Sequence, residues 1–178
     1  MYFVTLNRKQ NNWNLYKYDF TTNGSDLVLN DSNDSWVDKK SFFTPNNNGS
    51  WTSRGGFSFA IMENGELVWI SEKDGFKHIY RNRLDGRPIN QITRGEWEVN
   101  SINAIDANNG IIYFSAKKET ETENHLYSIR FNGSRLKRIT KEKGSHSSAF
   151  SPTLNYFINY YSSCLLYTSP SPRDQRGS

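Results

Sequence analysis

Along most of the chain, apolar positions come in short bursts rich in β-branched and aromatic residues, each closed off by Gly, Asn, Asp or Pro. On this pattern residues 2–6, 13–20, 57–62, 67–70, 77–84, 89–93, 99–106, 110–116, 125–131, 135–140, 147–150 and 155–161 read as strands. No window sustains apolar residues at helical spacing. Asn64-Gly65, Asp85-Gly86 and Asn132-Gly133 each fall between two strand segments. Such dipeptides accept the positive φ that tight hairpin turns need, so an all-β meander is expected.

An internal repeat sharpens this. Residues 78–93 and 125–140 align without a gap at an offset of 47, with His, Tyr, Arg, Gly, Ile and Thr recurring at matching positions. A period of about 40 to 50 residues holding four strands is the mark of β-propeller blades. The neighbouring apolar pairs Ile79-Tyr80 and Leu126-Tyr127 point to opposite faces of their strands. Both faces must then be covered, as they are when blades stack on each other, whereas a sandwich predicts cleaner alternation.

The fold class expected is therefore all-β, a partial β-propeller of four-stranded antiparallel blades. Residues 57–95 and 97–142 make two fuller blades. Residues 1 to 35 supply the last strands of a preceding blade, and 144–163 open a following one. The polar, turn-rich stretch 30–56 reads as a long connection between blades, with a short additional strand at 41–44. Tyr2 lies almost immediately inside a strand, so Met1 reads as an internal methionine and the chain as an arc of a larger ring.

Composition changes the picture mainly by exclusion. The 178 residues are 35% hydrophobic, 15% aromatic and 22% charged, enough apolar bulk for a core and too much for a disordered chain. There is no apolar run of the length a membrane-spanning helix needs and no signal-peptide pattern, so no membrane partner is expected for this stretch. The segment from Cys164 to Asp174 resembles the translation of a transposon-end adapter used in sequencing libraries, and residues 164–178 are read as a foreign tail behind a native 1–163. Cys164, the single cysteine, goes with it, and with it any disulfide, zinc or thiol argument. Losing Arg173, Asp174 and Arg176 lowers the net charge of +4 by one. The remaining charges are scattered, so nucleic acid is not expected as a partner.

Several local groupings invite a chemical reading. Ser145-His146-Ser147 holds a nucleophile and a base, but adjacent residues on extended backbone face opposite ways. Glu96 and Glu98 share a face around Trp97. Paired carboxylates can serve a glycosidase, but here they are expected to receive backbone or arginine hydrogen bonds. His78 and His125 occupy equivalent repeat positions a whole blade apart and read as ordinary blade histidines instead of metal ligands. Glu119, Glu121 and Glu123 alternate with threonine as a solvated hairpin rim, without the converging oxygens that calcium requires. No metal or cofactor is expected. Within residues 36–43, Trp36, Phe42 and Phe43 are the candidates for contact with the central chamber of the ring. The plainer reading, core at a strand start, is preferred because aromatics in strands are usually core.

A family resemblance rests on particular segments. Asn7-Arg8-Lys9-Gln10-Asn11 followed by Leu15-Tyr16-Lys17-Tyr18-Asp19 is similar to a strand of dipeptidyl peptidase IV-type propellers. Trp36-Val37-Asp38, the run from Trp69 to Tyr80, the run from Ile92 to Val99, His125-Leu126-Tyr127 and the segments from Gly144 to Pro152 resemble the same family in the same order. Each is weak alone; their order and spacing are specific. The resemblance covers essentially all of residues 1–163. It implies a propeller preceding an α/β-hydrolase domain in a periplasmic or secreted serine peptidase. That enzyme would remove N-terminal dipeptides with proline or alanine second, acting on peptide substrates and forming a homodimer.

What the resemblance does not supply here is a catalytic residue. The family's serine, aspartate and histidine lie in the hydrolase domain, no Gly-x-Ser-x-Gly elbow occurs, and the acidic pair that holds the substrate amine has no counterpart in these residues. The role implied for this stretch is to wall and gate the chamber. A non-enzymatic propeller that binds peptides or proteins remains the alternative, because fold alone does not assign function.

Overall fold

A computed structural model of the chain describes residues 1–38, 42–43 and 50–163, and for 42–43 and 50–55 the backbone alone. The expected foreign tail, 164–178, lies outside the described residues. The order along the chain is β1 (Tyr2–Leu6), β2 (Asn12–Asp19), β3 (Gly24–Ser32), β4 (Phe42–Phe43), β5 (Ser50–Phe57), β6 (Phe59–Ile61), β7 (Glu66–Ser71) and β8 (His78–Arg83). It continues with β9 (Pro88–Gln91), β10 (Glu98–Asp106), β11 (Ile111–Lys117), β12 (His125–Arg130), β13 (Lys137–Arg138), β14 (Ser145–Phe150) and β15 (Phe157–Ser162).

Four sheets result, ordered β1-β2-β3, then β4-β6-β7-β8-β9, then β5-β10-β11-β12-β13, then β14-β15. Two complete meanders flanked by parts of two others match the expected arc. To the expected four antiparallel strands, each full sheet adds a fifth at one edge: β4 pairs parallel to β6, and β5 pairs antiparallel to β10.

The strands of the first two sheets show why both faces of each strand are apolar. In β7 all four of Leu67, Val68, Trp69 and Ile70 are buried. Leu67 and Trp69 join Phe59 and Tyr80 in a core with Trp13, Leu15, Val28 and Leu29 of the first sheet. Val68 and Ile70 join Ala60 and Ile79 in a second core with Ile102, Ile105, Ile112, Phe114 and Tyr127 of the third sheet. Residues adjacent in sequence therefore feed different cores, as the two-residue period of a strand requires.

The seam between the third and fourth sheets is more polar. Asn124 Nδ2 donates to His146 O at 2.8 Å, Asn103 Nδ2 to Ser148 O at 3.4 Å, and the His125 and His146 rings lie 5.1 Å apart.

The repeat has a specific physical basis. In both copies a histidine opens the third meander strand and a threonine sits fifteen residues later. Thr93 Oγ1 accepts the Ile79 N–H at 2.9 Å and lies 3.1 Å from His78 Nδ1. Thr140 Oγ1 accepts the Leu126 N–H at 3.1 Å and lies 3.1 Å from His125 Nδ1. His78 Nε2 faces Gly95 O at 2.9 Å, and a carbonyl only accepts, so Nε2 carries the proton and the Thr93 hydroxyl donates to Nδ1. Each clamp ties the start of one strand to the end of the next.

Three expectations need correction. Residues 24–32 form a strand that the pattern missed, because Asp26, Asn30, Asp31 and Ser32 are poor strand formers and only Leu27-Val28-Leu29 is apolar. A register shift opposite Leu15 and Tyr16 makes Val28 the extra residue and lets both Val28 and Leu29 turn inward. The stretch 30–56 is thus not a connection throughout, since it holds the end of β3 and nearly all of β5. The expected strand 57–62 is split. Phe57 ends β5 and pairs with Ile102 in the third sheet, while β6 pairs with β7 in the second. The break follows Gly56, whose φ of 75° few other residues adopt.

Candidate functional site

The residues of the Asn7–Asn11 motif hold one wall of a cleft between the first two sheets in place. Asn7 Oδ1 accepts the N–H groups of Asn11 and Asn12 at 3.0 and 3.2 Å, closing the turn between β1 and β2. The same turn holds the connection that leaves β3: Asn33 N–H donates to Asn11 O at 3.0 Å, Val37 N–H to Gln10 O at 2.7 Å, and Trp36 Nε1 to Gln10 Oε1 at 3.1 Å. Trp36-Val37-Asp38 is thereby displayed beside the loop joining β7 to β8, and Asp31, Ser71, Glu72, Lys73 and Lys77 complete the cleft.

Its charges are largely paired. Ser71 Oγ donates to the buried Asp31 Oδ1 at 2.7 Å. Lys77 bridges Asp38 and, at 3.4 Å, Glu72. Burial alone would lower the Lys77 ammonium, but the hydrogen bond and charge of Asp38 and the charge of Glu72 outweigh it and hold the group above its usual value. Lys73 goes the other way. Its ammonium sits 3.9 Å from the Tyr80 ring centroid, and burial pulls it below its usual value despite Asp31 and Asp74. This arrangement can bind a ligand, but among the described residues it has no activated nucleophile: Ser71 faces a carboxylate, and no imidazole lines the cleft.

Of the three chamber candidates, Trp36 is 47% exposed at this cleft, so it is not core as the plainer reading held; its neighbour Val37 is buried instead. Phe42 and Phe43 form β4, at the edge of the second sheet next to β6. Their side chains lie outside what the structure describes.

The remaining groupings separate as chemistry would have it. Both ring nitrogens of buried His146 are engaged, Nε2 with Glu142 O at 2.8 Å and Nδ1 with Asn159 at 3.0 Å, and neither Ser145 nor Ser147 pairs with it. Glu96 and Glu98 are exposed, and among the described residues neither receives the expected backbone or arginine hydrogen bond. Trp97 between them packs on the His78 ring at 5.2 Å. The rim glutamates are solvated as expected, Glu119 and Glu121 exposed and Glu123 partly so, while Glu119 also accepts from the Tyr127 hydroxyl at 3.3 Å and Glu123 lies 2.9 Å from His125 Nε2. No group of three potential metal ligands converges among the described residues.

Sequence reading missed Asp31, Ser71, Lys73 and Lys77 as parts of one cleft, and Gln10 as the residue that holds Trp36 and Val37 beside it. Asp31 lay in a segment read as a connection, among the polar residues Asn30, Ser32 and Asn33, where nothing local set it apart.

Comparison with known proteins bears directly on this arc. The profile of the dipeptidyl peptidase IV (DPP IV) N-terminal region matches residues 1–167. The chain belongs to that family. A solved structure of dipeptidyl peptidase 4 from Porphyromonas gingivalis superimposes with a TM-score of 0.70 at 30% identity, over 90% of this chain and 20% of that one. A probable dipeptidyl-aminopeptidase B of Coccidioides posadasii is 37% identical over 92 residues, covering 49% of this chain and 10% of the relative. A dipeptidyl peptidase 4 of Arthroderma otae is 32% identical over 96 residues, covering 53% and 12%. The chain thus spans roughly a tenth of these curated relatives and a fifth of the solved one. Within the DPP IV N-terminal region it is a partial propeller, and the cleft at Trp36 lies between its first two sheets.

Proposed function

We propose that this chain is part of the chamber wall of a serine dipeptidyl peptidase that releases N-terminal dipeptides with proline or alanine in the second position. The observation that carries this reading is the family match over residues 1–167. Bond chemistry falls to a hydrolase domain outside these residues, by serine attack, imidazole-assisted proton transfer and an acyl-enzyme. The wall admits extended peptide ends and excludes folded protein. Periplasmic or secreted placement and a homodimer belong to the same proposal.

In a propeller the first strand of each blade runs nearest the central channel. β4 and β5 pair beyond those first strands, which supports a lining role for the segment holding Phe42 and Phe43. Trp36, Phe42 and Phe43 are proposed to contact the peptide beyond the scissile bond.

The test uses the protein encoded by the complete reading frame. It should release the dipeptide from a Gly-Pro chromogenic substrate, while residues 1–163 alone release none. A complete reading frame without a hydrolase domain ends the proposal. In the active protein, Phe42→Ala with Phe43→Ala should lower kcat/KM for longer peptides more than for the chromogenic dipeptide. A loss of thermal stability with no change in that ratio removes the chamber role.

A further inference from the structure

Three tight turns among the described residues carry Asn-Gly with the glycine at positive φ, 64–65, 109–110 and 132–133; in a fourth, 23–24, the positive φ falls on Asn23 instead, and Asn23 Oδ1 accepts from the Tyr18 hydroxyl. In those three the glycine φ is 77°, 64° and 81°, and all three asparagines are exposed. Access to water therefore does not separate them, but hydrogen bonding does. Gly65 N–H donates to Met62 O at 3.1 Å and Gly133 N–H to Arg130 O at 2.8 Å. Gly110 N–H has no acceptor among the described residues, although Gly110 C=O accepts from Phe131 N–H at 2.9 Å.

The side-chain carbonyls divide the same way. Asn64 Oδ1 accepts the Glu66 N–H at 3.2 Å, and Asn132 Oδ1 accepts from the Ser134 N–H and hydroxyl at 3.0 and 2.7 Å. Asn109 is held only through its donors, N–H to Asp106 Oδ1 at 3.0 Å and Nδ2 to Asp106 Oδ2 at 2.7 Å. Its Oδ1 has no hydrogen-bond partner among the described residues.

We propose that Asn109 is a site of spontaneous, backbone-assisted deamidation, favoured over the other two turns. The Gly110 amide gives its proton to solvent base and its nitrogen attacks Asn109 Cγ. The new N–Cγ bond forms as Cγ–Nδ2 breaks, and the departing nitrogen takes a proton from water and leaves as ammonia. A second water opens the five-membered imide at either carbonyl, giving aspartate or isoaspartate. One water enters and one ammonia leaves, with no redox change and no other reactant. At Gly65 and Gly133 the attacking nitrogen must first break its backbone hydrogen bond, and the Asx closure must release the carbonyl. One such bond of ordinary net strength corresponds to about a fivefold rate difference.

The location gives the modification a consequence. The turn joins β10 to β11, the central strands of the third sheet. The product places a carboxylate where Nδ2 had donated to Asp106, and isoaspartate lengthens the turn by one backbone carbon. Like charges at that spacing repel, so the modified turn loosens the ladder from its end.

The experiment incubates the full 178-residue chain at mildly alkaline pH, with and without concentrated urea, and follows each Asn-Gly peptide by mass spectrometry and isoaspartate-specific labelling. Without urea, Asn109 should convert about fivefold faster than Asn64 or Asn132; in urea the three rates should converge. Asn109→Gln should remove the leading signal and leave the others unchanged. Equal rates without urea, or a lead by Asn64 or Asn132, overturn the proposal.

Discussion

Replacing Thr93 by valine is the sharpest probe of the repeat, because it keeps the side chain's shape and removes one oxygen. In the native chain that oxygen accepts the Ile79 N–H at 2.9 Å and its proton goes to His78 Nδ1 at 3.1 Å. All three groups are out of water: Thr93 and His78 are each 1% exposed and Ile79 is 0% exposed. Valine therefore strands a backbone donor and an imidazole acceptor, each costing about 1–3 kcal/mol when left unsatisfied in the interior. The added methyl returns about 0.8 kcal/mol of burial. The net expectation is a loss of about 1–5 kcal/mol. Equilibrium urea unfolding of the intact protein measures it, and hydrogen exchange at the Ile79 amide, whose protection should fall with the hydroxyl, localises it. Thr140→Val should cost a similar amount, since Thr140 stands in the same relation to Leu126 and His125. Losses under about 0.5 kcal/mol in both variants, the ordinary size of a surface substitution, would falsify the clamp as the reason for the repeat.

Three other outcomes are expected. Gly56→Ala should destabilise by about 1–3 kcal/mol in a thermal melt, because φ is 75° there and a Cβ would stand against the Ser101 side chain; a neutral result would place the β5–β6 break elsewhere. Burial first, and then Glu119, pushes the Tyr127 phenol up to about 12 from 10.0. A folded value above the unfolded one gives stability that is whole below pH 10 and is lost as pH rises toward 12, so Tyr127→Phe should flatten that alkaline decline, and an unchanged slope counts against it. Ile158 and Tyr160 of the outer strand β15 and Tyr156 just before it are 59%, 57% and 69% exposed, so residues 1–163 should self-associate by light scattering, and Ile158→Asp with Tyr160→Lys should raise the monomer fraction; a monodisperse parent chain contradicts this.

The all-β class, the repeat and the stacking of blades were legible in the amino-acid order because they rest on local properties. A strand with apolar residues on both sides, such as Leu67 to Ile70, announces two covered faces wherever it sits, and turn dipeptides announce themselves through the backbone conformations they tolerate. The family motifs were equally visible, as short runs in a fixed order. What only the tertiary structure decided was partnership across long separations. Asp31 meets Ser71 forty residues away, Val37 is held by Gln10, and Phe57 leaves its sequence neighbours to pair with Ile102 in another sheet. A polar edge strand such as β3 carries little local preference and is fixed by the ladder it completes, and a cleft between sheets exists only once both sheets have docked. Periodicity reports which faces are buried; it is silent about which distant segment covers them, because burial depends on the residue's own chemistry and pairing depends on the whole fold.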